Sequence, residues 1–600
     1  MAKVYYRMCM NTTQINNAGL DPILKPLKEL GGWPLLDENF NASTIDLTQL
    51  LANLRKYYSL DVFLSFYVYA DSKNTTTNIL NIDKGSLGLG MGTRDYYLND
   101  TSYGSQMAAY KKFLTDLVLV FAKETKNLTK LDERIMRQID EILDFEKKIA
   151  NMTTPEDQRR NHSLLYNKWN IDQLQNHTPV IDWRTYFRLI TSDEVYKIFR
   201  KPDFTVIVNE PTFMQNLNDL LQNTDKRIVV NYIIWRFLKM WSKILDSRFD
   251  DIFQDFAQVM LGRQQKPVRW KHCVPSTVST FDMAVGALYV KQHFKHEDKE
   301  EALSMIKHLQ TAFRQLVSKL DWMDEQTKKV AIEKAQAMLN HIGYPEFILN
   351  NTALNEYYAD LDIMSQPMTF FEMNRKYSLW AQNKDFSELT KPFDRNKFDT
   401  SPAIVNAFYS PEKNAISKIW FFSIYKAKNA NFLQLFPPVF YNRHFSKATI
   451  QTINYGAMGA VIGHEITHGF DDQVRNLAGC QYDRNGNLND WWTPLAFDGF
   501  RQRTECIVEQ YNNYTVVEVK TKVNGKLTQG ENIADNGGVK EAYMVISMDF
   551  SYEEVIMLIS GIFSFKAYRK YLDELGTEEM RLPGLLNLTN YQIFFLSYAN

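Results

Sequence analysis

The sequence predicts a mainly helical fold with a small β component, divided into at least two domains. Three observations predict it. Six hundred residues exceed what one ordinary core accommodates. Apolar residues recur at three-and-four spacing through most of the first ~290 positions. Short β-type runs cluster only after Asp394. Apolar and aromatic content is that of a folded chain, with no disorder signature.

The helical spacing is clearest over 110–124, 131–150, 227–247 and 249–261. Stretches rich in Pro, Asn and Asp at 151–155 and 201–209 read as breaks. A block rich in Lys, Glu, Gln and Ala predicts helix over 298–340. After Asp394, 403–409 reads as a strand closed by Ser410-Pro411. A helical pattern over 455–470 and a Gly/Asn/Asp-rich loop over 471–490 follow. A strand-like run over 514–523 ends at an Asn524-Gly525 turn, and a second helix begins near Gly530-Glu531.

Lys and Arg number 69 against 70 Asp and Glu, a balance that gives no basic surface for nucleic acid. Residues 1–7 hold no apolar signal segment, and the longest apolar run, 555–565, is far short of the ~20 residues a membrane span needs. The chain as written therefore reads as soluble. Cys9, Cys273, Cys480 and Cys506 contain no CxxC pair, which excludes a zinc ribbon. They fit either scattered buried thiols or long-range disulfides. Asn-x-Ser/Thr sites crowd the first third, from Asn11 and Asn41 to Asn176. Their density favours a glycosylated, extracellular surface.

His464-Glu465-Ile466-Thr467-His468 carries the chemistry. Histidines at i and i+4 project from one helical face, so both rings can meet one Zn²⁺. Glu465 points to a neighbouring face and is placed to act as a base. Zn²⁺ held this way would acidify a water, and Glu465 would take that water's proton during attack on a peptide carbonyl. The flanks strengthen the reading. Val461-Ile462-Gly463 lets the helix be buried, and Asp471-Asp472 can hold the ligand imidazoles. Glu531 and Asp535 share a face of the next helix. Glu531 can then be the third ligand, and Asp535 can accept a hydrogen bond from a ligand histidine. Asn536-Gly537-Gly538 follows; two glycines inside a helix cost roughly 1 kcal/mol each, which points to close backbone packing there.

These segments, with Asn406-Ala407-Phe408-Tyr409-Ser410-Pro411, Asp490-Trp491-Trp492, Tyr6-Arg7-Met8-Cys9 and 284–290, resemble the neprilysin and endothelin-converting-enzyme family of zinc metallopeptidases. The resemblance covers nearly the whole chain. It implies a two-lobed helical ectodomain around a water-filled chamber. Residues 1–292 would restrict access, and 293–600 would form a thermolysin-like catalytic domain. It implies one Zn²⁺ per chain on His464, His468 and Glu531, with Glu465 as base and Asp535 supporting it. Asn406, Ala407 and Phe408 would bind substrate, and Val461 would line the pocket for an apolar side chain. Cys9 and Cys273 match a disulfide pair. The implied activity is hydrolysis of short peptides on the amino side of apolar residues, at the cell surface or outside it.

The sequence also departs from the family pattern. No anchor or signal precedes Met1, and the chain stops where the family continues toward a histidine that stabilises the oxyanion. No histidine follows His468. Stretches near 417–434, 477–481 and 544–566 look inserted. The alternative expectation is a zinc- and peptide-binding ectodomain fragment with impaired turnover.

Overall fold

The computed structural model describes residues 1–159, 162–294, 296–404, 406–419, 454–471, 482–517, 520–542 and positions 592 and 598. The helical reading of the first part is met by α1 (Ala2–Met10), α2 (Asp100–Lys126), α3 (Glu133–Met152), α4 (Lys226–Trp241), α5 (Ser247–Leu261) and α6 (Trp270–Thr280). Their ends follow capping chemistry. Asn99 caps α2 by accepting from Ser102 N, and Asn127 ends it in the left-handed region at φ 56°. Asp246 accepts from Arg248 N to start α5, so the helix predicted over 227–247 stops earlier, at Trp241.

A four-stranded sheet stands where the sequence pattern reads helix and break. Strands β1 (Leu64–Asp71) and β2 (Asn74–Lys84) form an antiparallel hairpin. Strand β3 (Asn167–Asn170) pairs with β4 (Thr205–Val208), which runs parallel to β2. The predicted break at 201–209 therefore contains β4. On β1, Phe66, Val68 and Ala70 face inward while Ser65, Tyr67 and Tyr69 face outward. That alternation was the available signal.

In the second part the block predicted over 298–340 is not one helix. It divides into α7 (His296–Ser318), α8 (Glu325–Gln336) and β5 (Leu339–Ile342). Asp324 caps α8 through Thr327 N, and Trp322 in the connector stacks on Trp492. Strands β6 (Asn406–Ser410) and β7 (Ala415–Ile419) pair antiparallel, and the sheet order is β5-β7-β6. Their turn ends at buried Asn414, φ 43°, whose amide donates to Lys334 O and Arg484 O.

A π-turn at Tyr455–Gly459 leads into α9 (Ala460–His468), and α10 (Pro494–Asn512) follows. The single strand predicted over 514–523 folds back instead as β8 (Thr515–Val516) and β9 (Thr521–Lys522). All four of these residues are exposed, so no core holds a longer strand straight. The turn lies at Lys520, φ 52°, and Gly525 N binds Asn512 Oδ1 instead. Helix α11 (Gln529–Glu541) begins within two residues of the predicted start.

Among the described residues three apolar cores result. One fills the first part around Trp183, Tyr110, Phe113 and Trp235. A second packs α7, α8 and α9 through Leu309, Ala331, Ile462 and Ile466. The third gathers Tyr5, Phe281, Tyr358 and Phe370 around a disulfide between Cys9 of α1 and Cys273 of α6. That pairing is the one the resemblance implies. It closes a loop of 264 residues and both sulfurs are buried. Replacing both cysteines by serine is expected to lower stability by about 2–5 kcal/mol, read as a fall in Tm under non-reducing conditions.

The sheet of the first part meets the second part at its hairpin tip. Thr75 donates through N and Oγ1 to Asn487 Oδ1 at 2.9 and 3.0 Å, and Leu488 N donates to Ser72 O. Tyr69 OH and Ser410 Oγ lie 3.1 Å apart. Among the described residues no single helix is long and apolar enough to cross a membrane. Cys506 is exposed and outside the disulfide. Asp472, Cys480 and the stretches 477–481 and 544–566 lie outside the described residues. So does 417–434, apart from Ser417–Ile419 at the end of β7.

Candidate metal centre

Helix α9 divides its residues by face. Ile462 and Ile466, four apart and fully buried, enter the second core. His464 and His468 are displaced from them by two positions and project from the opposite side. Their Nε2 atoms lie 2.9 Å apart.

Helix α11 brings the third donor. Glu531 Oε2 is 3.3 Å from His464 Nε2 and 3.5 Å from His468 Nε2. Donors bound tetrahedrally to Zn²⁺ at about 2.0–2.1 Å stand about 3.3 Å from one another. The triangle of two imidazole nitrogens and one carboxylate oxygen therefore fits that ion in donor chemistry and in spacing. Glu465, 5% exposed, also offers a carboxylate oxygen within 4.8 Å of both ring nitrogens.

Both imidazoles are oriented from behind. Asp535 Oδ1 is 2.8 Å from His464 Nδ1. Asp471 Oδ2 is 2.7 Å from His468 Nδ1. Each carboxylate holds the Nδ1–H tautomer and turns Nε2 toward the shared point. Burial pulls the imidazolium forms down, but the carboxylates outweigh it. Asp535 and Glu531 raise His464, and Asp471 and Glu531 raise His468, well above the ordinary imidazole value. Hydrogen bonds from the two histidines hold Glu531 far below the usual carboxylate range.

The two helices meet at glycines. A Cβ on Gly463 would stand 2.8 Å from Gly538 O. A Cβ on Gly538 would stand 2.6 Å from Ala460 O and 2.8 Å from His464 Cα, and one on Gly537 would stand 2.9 Å from Thr467 Cβ. The glycines flagged by their helical cost are thus the crossing point of α9 and α11.

Strand β6 lies against α9 and forms the edge of its sheet among the described strands. Asn406 is exposed; Ala407, Phe408 and Val461 are half-buried. Several residues of the site escape sequence reasoning. Lys334, 1% exposed, donates from Nζ to Gly469 O at 2.7 Å, placing a cation at the C-terminal end of α9. His308 Nδ1 meets Tyr455 OH at 2.6 Å and anchors the π-turn before α9. Glu541 touches Thr467 from α11. None of the three sits at a spacing that marks it in the sequence.

Comparison with known proteins gives a consistent result. Sequence profiles of peptidase family M13 match residues 1–345 and 406–562. Neprilysin-11 of Caenorhabditis elegans is 47% identical over 602 residues, covering 100% of this chain and 65% of that protein. Human endothelin-converting enzyme 1 is 35% identical, covering 100% of this chain and 69% of its own length. The chain thus spans about two thirds of these relatives. The crystal structure of the zinc metalloprotease Zmp1 of Mycobacterium tuberculosis, with an inhibitor, superposes with a TM-score of 0.76. At 24% identity it covers 99% of this chain and 78% of that one, and it supports the fold. On the strength of these matches, over a chain that brings His464, His468 and Glu531 together, the protein belongs to peptidase family M13.

Proposed function

We propose that the protein is a zinc-dependent metalloendopeptidase that hydrolyses short peptides on the amino side of apolar residues. The observation that carries this reading is the convergence of His464 Nε2, His468 Nε2 and Glu531 Oε2, with a carboxylate behind each imidazole. When bound, Zn²⁺ supplies a Lewis acid that polarises the scissile carbonyl and acidifies water. Glu465 receives the proton of the attacking water and delivers it to the departing amine, so one buried carboxylate serves as base and then acid. Asp535 and Asp471 keep the ligand rings in place. Asn406 and Ala407, on the strand at the sheet edge among the described residues, hold an extended substrate by backbone pairing, and Phe408 and Val461 help to line the site. Residues 293–600 carry the catalytic groups, and residues 1–292 limit access.

An extracellular setting is supported by the buried disulfide and by the sequons. Asn11, Asn41, Asn74, Asn99, Asn127, Asn151, Asn176, Asn350 and Asn513 are all exposed.

The test is cleavage of a quenched fluorescent peptide with apolar residues, before and after removal of metal by a chelator. Activity is expected to vanish with chelation and to return with one zinc per chain. Chelator-resistant cleavage by the pure chain would overturn the reading. The pH dependence of zinc affinity is a second check. The metal-free histidines hold protons above pH 6.5, and zinc must displace them. Raised imidazole pKa values mean that affinity increases with pH, with at least one proton released per zinc between pH 6.5 and about 9. Competition with a chromophoric chelator across that range reads the slope; a flat profile would contradict the assignment.

A further inference from the structure

We propose that Glu541 is a positioning residue for the metal centre: a neutral carboxylic acid that donates its proton to Thr467 and so fixes α11, with Glu531, against α9. The inference rests on the reading of His464, His468 and Glu531 as the zinc ligands.

Hydrogen-bond inventory leads to it. Thr467 Oγ1 is 2.8 Å from Glu541 Oε1 and 2.9 Å from Gly463 O. A hydroxyl has one hydrogen. In a helix that hydrogen turns to the carbonyl four residues back, here Gly463. The bond to Glu541 then requires a second proton, and only the carboxyl can bring it. The surroundings agree. Glu541 is 1% exposed, and among the described residues its Oε2 has no hydrogen-bond partner. Among the described residues no cation pairs with it, and burial pushes the carboxyl well above its ordinary range. An ionised carboxylate placed there would bear an uncompensated desolvation cost.

The contact also has a mechanical place. The glycine crossing sets how closely α9 and α11 approach. The Glu541–Thr467 bond is a directional contact beyond that crossing. Thr467 is the neighbour of His468, and Glu541 shares a helix with Glu531. A Cβ on Gly463 would approach Glu541 Oε2 to 3.2 Å, so the same glycine that admits α11 also makes room for the acid.

The test compares E541Q and E541L in the full chain. Glutamine keeps a neutral donor of the same shape; leucine keeps the volume and the burial without it. E541Q is expected to hold zinc within about twofold of wild type, and E541L to lose about tenfold or more, as outer partners of metal ligands do. Thermal melts establish that both are folded. Infrared spectra at pH 7–8 are expected to show a carboxylic acid carbonyl band in wild type that E541Q lacks. Zinc affinity in E541L equal to wild type would mean that Glu541 only fills space. Equal loss in E541Q and E541L would mean that the charge is needed. Absence of the band would mean that the group is ionised. Each result overturns the proposal. Failure of the wild type to bind zinc would instead overturn the ligand assignment, and the infrared band would still decide the protonation state.

Discussion

Replacing Glu465 by glutamine is expected to reduce peptide hydrolysis by about 10²–10⁴-fold or more while zinc stays bound, because the amide keeps the shape but cannot accept the proton. Glu465 sits between the two histidines in sequence and is 5% exposed, so little bulk solvent reaches it to act in its place. The triangle of ring nitrogens and carboxylate oxygen does not depend on it: His464 and His468 take their orientation from Asp535 and Asp471, and Glu531 comes from another helix. Turnover and metal content should therefore separate. The measurements are kcat/KM on a fluorogenic peptide and zinc stoichiometry by elemental analysis. Wild-type turnover in E465Q would show that the activity arises elsewhere, and loss of zinc would show that Glu465 is a ligand.

The second large effect belongs to a residue with no side chain. In G538A the new Cβ would meet Ala460 O at 2.6 Å and His464 Cα at 2.8 Å, both main-chain atoms of α9. Neither can rotate away, so α11 must withdraw from α9. A displacement of about 1 Å in a catalytic constellation costs about 10²-fold in rate. Overpacking of this kind costs about 1–3 kcal/mol in stability. G538A is thus expected to bind zinc more weakly, to lose about 10²-fold in kcat/KM and to melt at lower temperature. Gly104 in α2 serves as the control, because its Cβ would meet nothing within 4 Å. G104A should leave zinc and activity unchanged. Equal behaviour of the two variants would remove the crossing from the account of the site.

How much of this was legible in the sequence depends on distance along the chain. The pairs His464/His468 and Glu531/Asp535 could be read because four-residue spacing fixes a shared helical face. Gly537-Gly538 could be read as a close approach, though not what it approaches. Asp471 and Asp535 were legible as partners of the imidazoles, and the structure divides them one to each ring. Glu541, Lys334 and His308 were not legible. Each meets the site through a contact more than seventy residues away in sequence, and no local pattern distinguishes them from ordinary helical polar residues. The sheet β1–β4 was passed over for a related reason. Its central strands pair across more than a hundred residues, and β2 opens on Asn and Thr with little apolar content. The run over 514–523 carries strand-forming residues, but its paired residues are exposed among the described residues, and it closes into a two-residue hairpin.

The hairpin tip that joins the first sheet to the loop at 483–488 has one more consequence. Its bonds, Thr75 to Asn487 and Leu488 to Ser72, link polar groups that water satisfies nearly as well, unlike the cores on either side. Parting the sheet from the loop at this point would exchange those bonds for bonds to water. The joint at the hairpin tip is therefore polar, whereas Tyr69 meets Phe393, and Phe371 and Phe386 enter the core of the first part.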